Sequence, residues 1–329
     1  MKDKIDCIDS GTEYCPCSLA EANECLICSN LQGKNFCDCA NWNGVCIYQD
    51  FNDNGCKAKD GRKTSVCSIK SITNSKDQLI MITVNVPHKL SLDLKKPGSY
   101  VFINTDQNHI FDVPISVFES DTMNDLLTLV IEIRGIKTKR LLALKENNDI
   151  YLRGPYWNGV FGVHDLINQK NGNVVVLSRG IGAAPAMPVI EKLIENNNNL
   201  LTYFDFAGYD KYIFENYIKE HFLEFKEYSL LEGGKLTIEC KLLIENALKN
   251  NKINHIHISG ADILTHNVIS FLDQIHRDDI SLSCCNNFKM CCGEGICGAC
   301  TVRYSGRKIK RFCKLQATPR SVFEGRRYI

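Results

Sequence analysis

The chain has 329 residues with 39 basic and 38 acidic side chains, and a formal charge of +1 leaves no cationic excess to draw it onto nucleic acid. Hydrophobic residues at 44% and charged residues at 23% exclude wholesale disorder, and the length suits two or three packed units at about 150 residues each. Cysteine is the outlier: of 18, ten fall in the first 67 residues and seven between 284 and 313.

The opening residues MKDKIDCIDS lack the apolar stretch of a secretory signal, and no later run approaches the ~18 apolar residues of a membrane span. The expectation is a cytoplasmic protein without membrane association, where thiols at this density more often hold metal than form disulfides. Residues 1–63 are rich in Cys, Asn, Asp and Gly and poor in large apolar side chains, so a metal staple must stand in for a core. Cys7, Cys15, Cys17, Cys25, Cys28, Cys37, Cys39 and Cys46 combine C-x-C and C-x2-C pairs. Soft thiolates in that number suit an iron–sulfur cluster or zinc, and they suffice for two four-thiolate sites, with the sharing unreadable from spacing. Residues 52–63, NDNGCKAKDGRK, read as a polar linker.

Residues 66–156 change character. Short apolar runs (SVCSIKSI, DQLIMITVNV, GSYVFIN, HIFDVPISVF, LLTLVIEIRG, DIYLRG) bounded by Asn, Asp, Gly or Pro predict an antiparallel barrel, interrupted by one helix over Thr138 to Lys145. Over 171–283, the strands NVVVLS, NLLTYFDF, FKEYSLL, HIHISG and ISLSCC alternate with helical stretches such as Met187 to Asn196 and Ile263 to His276. That rhythm predicts a parallel sheet covered on both faces, an α/β domain following an all-β one. Gly180-Ile181-Gly182-Ala183-Ala184-Pro185 joins the first of these strands to a helix, a place where glycine permits close backbone approach and a helix N-terminus supplies positive potential. His255 and His257 alternate on one strand face and read as packing residues.

Residues 284–329 form a fourth region. Cys292, Cys297, Cys300 and Cys313 stand in C-x4-C-x2-C followed by twelve residues and a further Cys, the plant-type [2Fe-2S] spacing. Gly293, Gly295 and Gly298 let the loop take positive backbone angles and bring N–H groups to the sulfurs. Zinc is the competing occupant, but zinc ribbons prefer two short Cys pairs. From Arg303 to Arg327 nine basic residues face the single acid Glu324, so the rest of the chain carries about minus seven. Such a collar either steers an acidic redox partner or offsets the charge of a cluster.

The run MCCGEGICGACTVRYSGRKIKRFCK, placed after a barrel and an α/β region, resembles the electron-transfer subunit of dihydroorotate dehydrogenase and the small subunit of NAD-dependent ferredoxin:NADP oxidoreductase, within the ferredoxin reductase superfamily. The resemblance covers about residues 68–325 and implies a FAD-binding barrel followed by an NAD(P)-binding domain. Pro114-Ile115-Ser116-Val117 is similar to the family's R-P-x-S strand against the flavin, with Asp112-Val113 where the Arg would stand. Arg134 is then the substitute cation, ahead of Gly135, Lys137 and Thr138, which resemble the G-x-x-T loop that holds FAD phosphates. Gly180 and Gly182 match the family's NAD(P) pyrophosphate loop, but Ser178-Arg179 replaces its preceding glycines, and Arg179 either binds phosphate or fills the dinucleotide's space. Ser259-Gly260-Ala261 stands in place of Cys-Gly-Pro beside the nicotinamide, and Asp205 either accepts a ribose hydroxyl or is a solvated acid. The implied function is an electron-transfer flavoprotein subunit passing electrons between NAD(P)H, FAD, a [2Fe-2S] cluster and a partner. That partner would be a larger flavoprotein or iron–sulfur subunit, or a ferredoxin, in a hetero-oligomer. The alternative is an iron–sulfur carrier or adaptor that no longer binds nicotinamide.

Overall fold

The structure, a computed structural model, describes residues 6–38, 44–75, 79–106, 112–220, 224–304 and 308–326. The chain divides into two compact units, Met1–Lys63 with Phe288–Gly325, and Thr64–Asn287 with Arg326–Ile329. Among the described residues, no helix is long and apolar enough to cross a membrane.

In the larger unit, six antiparallel strands close a barrel in the order Thr64–Asn74, Leu79–Asn85, Leu126–Glu132, Val113–Asp121, Tyr100–Asn104 and Asp149–Tyr156. Alternation along each strand sends Ile69, Ile82, Val84, Val101, Ile103, Leu127, Leu129, Ile150 and Leu152 into one apolar core. An unforeseen helix, His88–Leu94, follows Pro87 and seats Leu90 and Leu94, four residues apart on one face, in that core. The helix expected from Thr138 begins earlier, as an α-turn Ile136–Lys139 that tightens to a 3-10 turn Arg140–Ala143. Thr138 is the cause: its Oγ1 accepts the N–H groups of Arg134 at 3.0 Å and Gly135 at 3.2 Å, so the helix opens around it.

The second half of this unit is a six-stranded sheet in the order Lys226–Glu227, Asn199–Asp205, Asn173–Arg179, His255–Ser259, Ser281–Cys285 and Val160–Phe161, parallel except for the last pair. Val174 to Leu177 are buried on both faces, as a central parallel strand requires. The strand expected over FKEYSLL joins this sheet only at Lys226–Glu227, because beyond it the Leu230 N–H turns to the Asp205 carboxylate at 3.0 Å; its last residue, Leu231, pairs instead with Leu236 in a two-stranded ribbon. The strand Asn173–Arg179 has its sequence successors on opposite sides, so the sheet reverses direction there. Ligands of α/β sheets enter the crevice at such a reversal, beyond the carboxyl ends of the strands.

The smaller unit joins both ends of the chain. The two-residue strand Asp6–Cys7 pairs antiparallel with Leu315–Gln316, and the Ile8 N–H donates to the Lys314 carbonyl at 2.9 Å. A four-residue core of Ala20, Leu31, Ile47 and Phe51 anchors the short helices Ser18–Glu21 and Ile47–Asp53, so the cysteine-rich segment is not without apolar support. The stretch read as a linker contributes Arg62, which is buried between Asp9 and Glu294.

Candidate functional site

A cavity of about 530 Å³ opens in the larger unit between the barrel and the sheet reversal. The barrel supplies Val113, Pro114, Ile115 and Ser116, with Arg134 and Thr138; the sheet supplies Ile181, Gly182 and Pro185 from one strand end, Gly260 from the next and Cys285 to Asn287 from the third. Pro114, Ile115, Ser116, Arg134, Thr138, Gly182 and Gly260 therefore meet around one space. Val117 does not join them: it alternates with Ser116 along the strand and is buried in the barrel core. Gly135 and Lys137 also lie outside the lining, and the Lys137 ammonium donates to the Asp112 carbonyl at 3.3 Å.

Gly182 is demanded by close packing. A Cβ there would lie 2.5 Å from the Ser259 carbonyl oxygen and 2.7 Å from the Gly260 Cα, so the first helical turn sits directly on the neighbouring strand end. Gly182→Ala is expected to cost about 1–3 kcal/mol by overpacking, lowering the thermal midpoint of the larger unit. An unchanged midpoint would contradict that contact. Gly180, at φ +60°, lies outside the cavity, with the Tyr209 ring 3.3 Å from its notional Cβ.

Ser259 is fully buried. It donates from Oγ to the Gly182 carbonyl at 2.6 Å and lies 2.9 Å from Cys285 Sγ. Thus the thiol missing from the Ser259-Gly260-Ala261 segment is present on the adjacent strand, in the cavity wall. Burial pushes the Cys285 thiol up, which keeps it neutral at pH 7. In the sequence the available signal for Cys285 is its place at the end of the last parallel strand. Asn287 pins the same wall, donating to the Gly260 carbonyl at 2.7 Å and to Asp262 at 2.9 Å.

Two charged residues singled out in the sequence are engaged with each other. Arg179 Nε donates to Asp205 Oδ2 at 2.9 Å, and Asp205 also accepts the N–H groups of Ala207 and Leu230. Neither stands as a solvated charge. Asp112 is likewise neutralised, by Arg153 at 2.7 Å, whose guanidinium packs 4.5 Å from the Phe102 ring centroid. Arg134 is 82% exposed and paired with Glu132 at 3.1 Å, a surface contact of small energy that leaves it able to turn toward the cavity.

No protein-family model matches the chain. Among curated proteins, the electron transfer subunit of dihydroorotate dehydrogenase B (NAD(+)) from Clostridium acetobutylicum is 26% identical over 222 residues, which are 67% of this chain and 82% of that protein. The corresponding subunit from Streptococcus pneumoniae is 24% identical, covering 64% of this chain and 79% of that one. Among solved structures, the NADH-dependent reduced ferredoxin-NADP oxidoreductase studied for flavin-based electron bifurcation superposes with a TM-score of 0.60 at 19% identity, over 79% of this chain and 90% of that chain. A ferredoxin-NADP+ reductase from Plasmodium falciparum reaches 0.50 at 18% identity, covering 68% and 96%. The chain is thus similar in sequence to these electron transfer subunits and in fold to these reductases. Its closed six-stranded barrel and separate α/β sheet are the fold shared with those structures.

The cysteines lie in the smaller unit, apart from Cys67, Cys240, Cys284 and Cys285. The Cys313 thiol hydrogen-bonds with both Cys292 and Cys300, and Cys292 bonds with Cys297, so the four sulfurs form one chain of contacts. The bond from Cys313 brings Cys292 down to about 4 and Cys300 to about 7, while Cys313, the shared donor, is raised. Cys292 Sγ also accepts the Glu294 N–H at 3.3 Å. Among the described residues, no group of three or more His, Cys, Asp or Glu side chains forms a ready metal cage. The fit rests instead on the donor set: four thiols gathered on a loop whose Gly293, Gly295 and Gly298 all have positive φ and whose Glu294 N–H points at Cys292 Sγ. Of the N-terminal candidates, Cys7, Cys15, Cys17, Cys25, Cys28 and Cys46 are partly buried and Cys37 is exposed, whereas Cys39 lies outside the described residues. The basic collar is only partly free to face a partner. Lys314 is buried on Asp9 and Glu294, Arg311 pairs with Glu24, and Arg326 with Asp262 at 3.9 Å.

Proposed function

We propose that this chain is an electron-transfer subunit of a flavin-dependent, NAD-linked oxidoreductase. In this reading FAD binds in the 530 Å³ cavity and a [2Fe-2S] cluster is held by Cys292, Cys297, Cys300 and Cys313. The observation that carries it is the convergence of Pro114 to Ser116, Thr138, Gly182 and Gly260 on one space at the sheet reversal, in a chain whose curated relatives are named as electron transfer subunits. Pro114 to Ser116 form the wall for the flavin ring. Thr138 holds the loop whose helix start and Arg134 receive the phosphates, and Gly182 and Gly260 let a nicotinamide approach from the sheet side. Cys285 supplies a neutral thiol at that approach. Bound FAD would exchange electron pairs with nicotinamide and single electrons with iron–sulfur centres. The acceptor is a larger flavoprotein or iron–sulfur subunit, or a ferredoxin, in a hetero-oligomer, and free thiols suit a reducing cytoplasm. Anaerobically purified chain should carry FAD and a two-iron absorption, and its flavin should bleach with NADH or NADPH. A colourless preparation that takes up no FAD would overturn the reading.

A second reading, an iron–sulfur carrier that no longer binds nicotinamide, is favoured by the Arg179–Asp205 pair, which occupies the loop where a dinucleotide would lie. The pair is partly exposed, so opening it costs no more than about 1 kcal/mol. Arg179→Ala is therefore expected to tighten NADH binding by up to about fivefold in a flavin-bleaching titration. Weaker binding would mean that Arg179 holds phosphate, and an absence of bleaching in both forms would favour the carrier.

A further inference from the structure

The eight N-terminal cysteines are not equivalent in the fold. Cys15, Cys17 and Cys25 line one small cavity of about 20 Å³, walled also by Tyr14 and Pro16. Cys28 closes a knuckle on Cys25: its N–H donates to Cys25 Sγ at 3.4 Å, and the Ile27 N–H reaches the same sulfur. Cys15 Sγ accepts the Gly11 N–H. Such N–H groups orient the sulfurs, as the outer partners of a metal site do. Cys15, Cys25 and Cys28 also pack against the core of Ala20, Leu31, Ile47 and Phe51, so the donors are positioned by apolar contacts as well. Neither Cys28 nor Cys46 lines the cavity itself; Cys28 is tied to it through its N–H bond to Cys25 Sγ, whereas Cys46 stands at the start of the helix Ile47–Asp53.

We infer that Cys15, Cys17, Cys25 and Cys28 hold one soft-metal centre as four thiolates, separate from the C-terminal set. A C-x-C and a C-x2-C pair present donors in twos from tight turns, which suits tetrahedral coordination. Cys7 lines the same cavity, but its strand is committed to pairing with Leu315–Gln316, and its thiol lies in the field of Asp9 and Lys314. Cys28, chelating with Cys25, is the better fourth ligand. Lys314 directly follows Cys313, and its ammonium feels Cys17 and Cys7. That ammonium is paired with Asp9 and Glu294, so it belongs to the buried ion-pair cluster beside the N-terminal thiols. The inference goes beyond the flavin reading and stands without it.

The full chain, purified without oxygen, is assayed for iron, zinc and acid-labile sulfide per chain. Metal is expected beyond the two irons of the C-terminal set: zinc without added sulfide marks a single ion, and additional iron with sulfide marks a cluster. Cys17→Ser, Cys25→Ser and Cys28→Ser should lose that extra metal and keep the two-iron EPR signal; Cys300→Ser should do the reverse, and Cys56→Ser should change neither. Because a serine variant can misfold, the unmodified chain is also labelled with iodoacetamide. Cys15, Cys17, Cys25 and Cys28 should be protected until a chelator is added, while the exposed Cys56 reacts at once. The assignment is overturned if no metal exceeds the C-terminal set, if these four label as fast as Cys56, or if Cys7→Ser rather than Cys28→Ser removes the metal. Failure of the C-terminal cluster would show separately, as an iron count that Cys300→Ser leaves unchanged.

Discussion

Arg62→Met is expected to destabilise the smaller unit by about 3–5 kcal/mol, because it removes one member of a closed ring of buried charges. Arg62 bonds Asp9 at 2.6 Å and Glu294 at 3.0 Å, and Lys314 bonds the same two acids at 2.7 Å and 2.9 Å. Side-chain exposure is 1% for Arg62, 3% for Asp9 and 0% for Lys314, against 21% for Glu294, so solvent cannot replace the partner that Asp9 loses. The intact ring is neutral; without Arg62 it carries a net buried negative charge. Tyr14 would also lose the guanidinium 4.2 Å from its ring centroid. Hydrogen exchange across a urea series, read on peptides spanning 6–31 and 308–323, measures the loss. The surface pair Lys89–Asp93, with Lys89 65% exposed, is the control, and Lys89→Met should stay within about 0.5 kcal/mol. A cost below about 1 kcal/mol for Arg62→Met would mean that water reaches the ring. Acid should act on it late. Burial raises Asp9, but Lys314 and Arg62 outweigh it and hold the carboxyl below its ordinary value. A carboxyl depressed by folding stabilises above its unfolded value, about 3.9, and loses that contribution only as pH falls through the lower folded one.

That ring also marks where local sequence reading stops. The barrel strands and the parallel strands were legible because alternating and continuous apolar runs are local patterns, and the approach of Gly182 to the sheet reversal follows from a strand–glycine–helix order. Asp9, Arg62, Glu294 and Lys314 are brought together across separations of up to 305 residues, and each reads alone as an ordinary surface charge. The same blindness assigned Lys314 to a solvated collar and Arg62 to a linker. Near the cavity, strand alternation turns Val117 into the barrel core, away from Ser116, and Arg179 and Asp205 seemed available because their pairing spans two strands. Cys285 was missed because its chemistry depends on Ser259, a neighbour only through the parallel register.

The larger unit should be the acid-sensitive one, losing about 5 kcal/mol between pH 7 and 4.5 through two histidines inside its sheet. His255 Nδ1 lies 3.1 Å from Ser281 Oγ and its Nε2 2.8 Å from Ser283 Oγ, while His257 Nδ1 lies 2.9 Å from Ser283 Oγ. His257 Nε2 is buried with no hydrogen-bond partner among the described residues. Hydroxyls satisfy neutral imidazoles, but no carboxylate is among these partners to compensate an imidazolium. Burial accordingly brings His255 down to about 4 and, with the adjacent His255 adding repulsion, His257 to about 3. Unfolded histidine titrates near 6.5, so between pH 6.5 and the folded values the unfolded chain binds more protons and stability falls as pH falls. Each histidine contributes about 2.5 kcal/mol of that loss by pH 4.5. Urea titrations at pH 7.0, 6.0, 5.0 and 4.5, followed by exchange of peptides spanning 173–179 and 255–259, should show the slope. His257→Gln should lower stability at pH 7 yet roughly halve the pH dependence, because glutamine fills the space without a titrating proton. Equal slopes in the two proteins would place the acid sensitivity elsewhere in the unit.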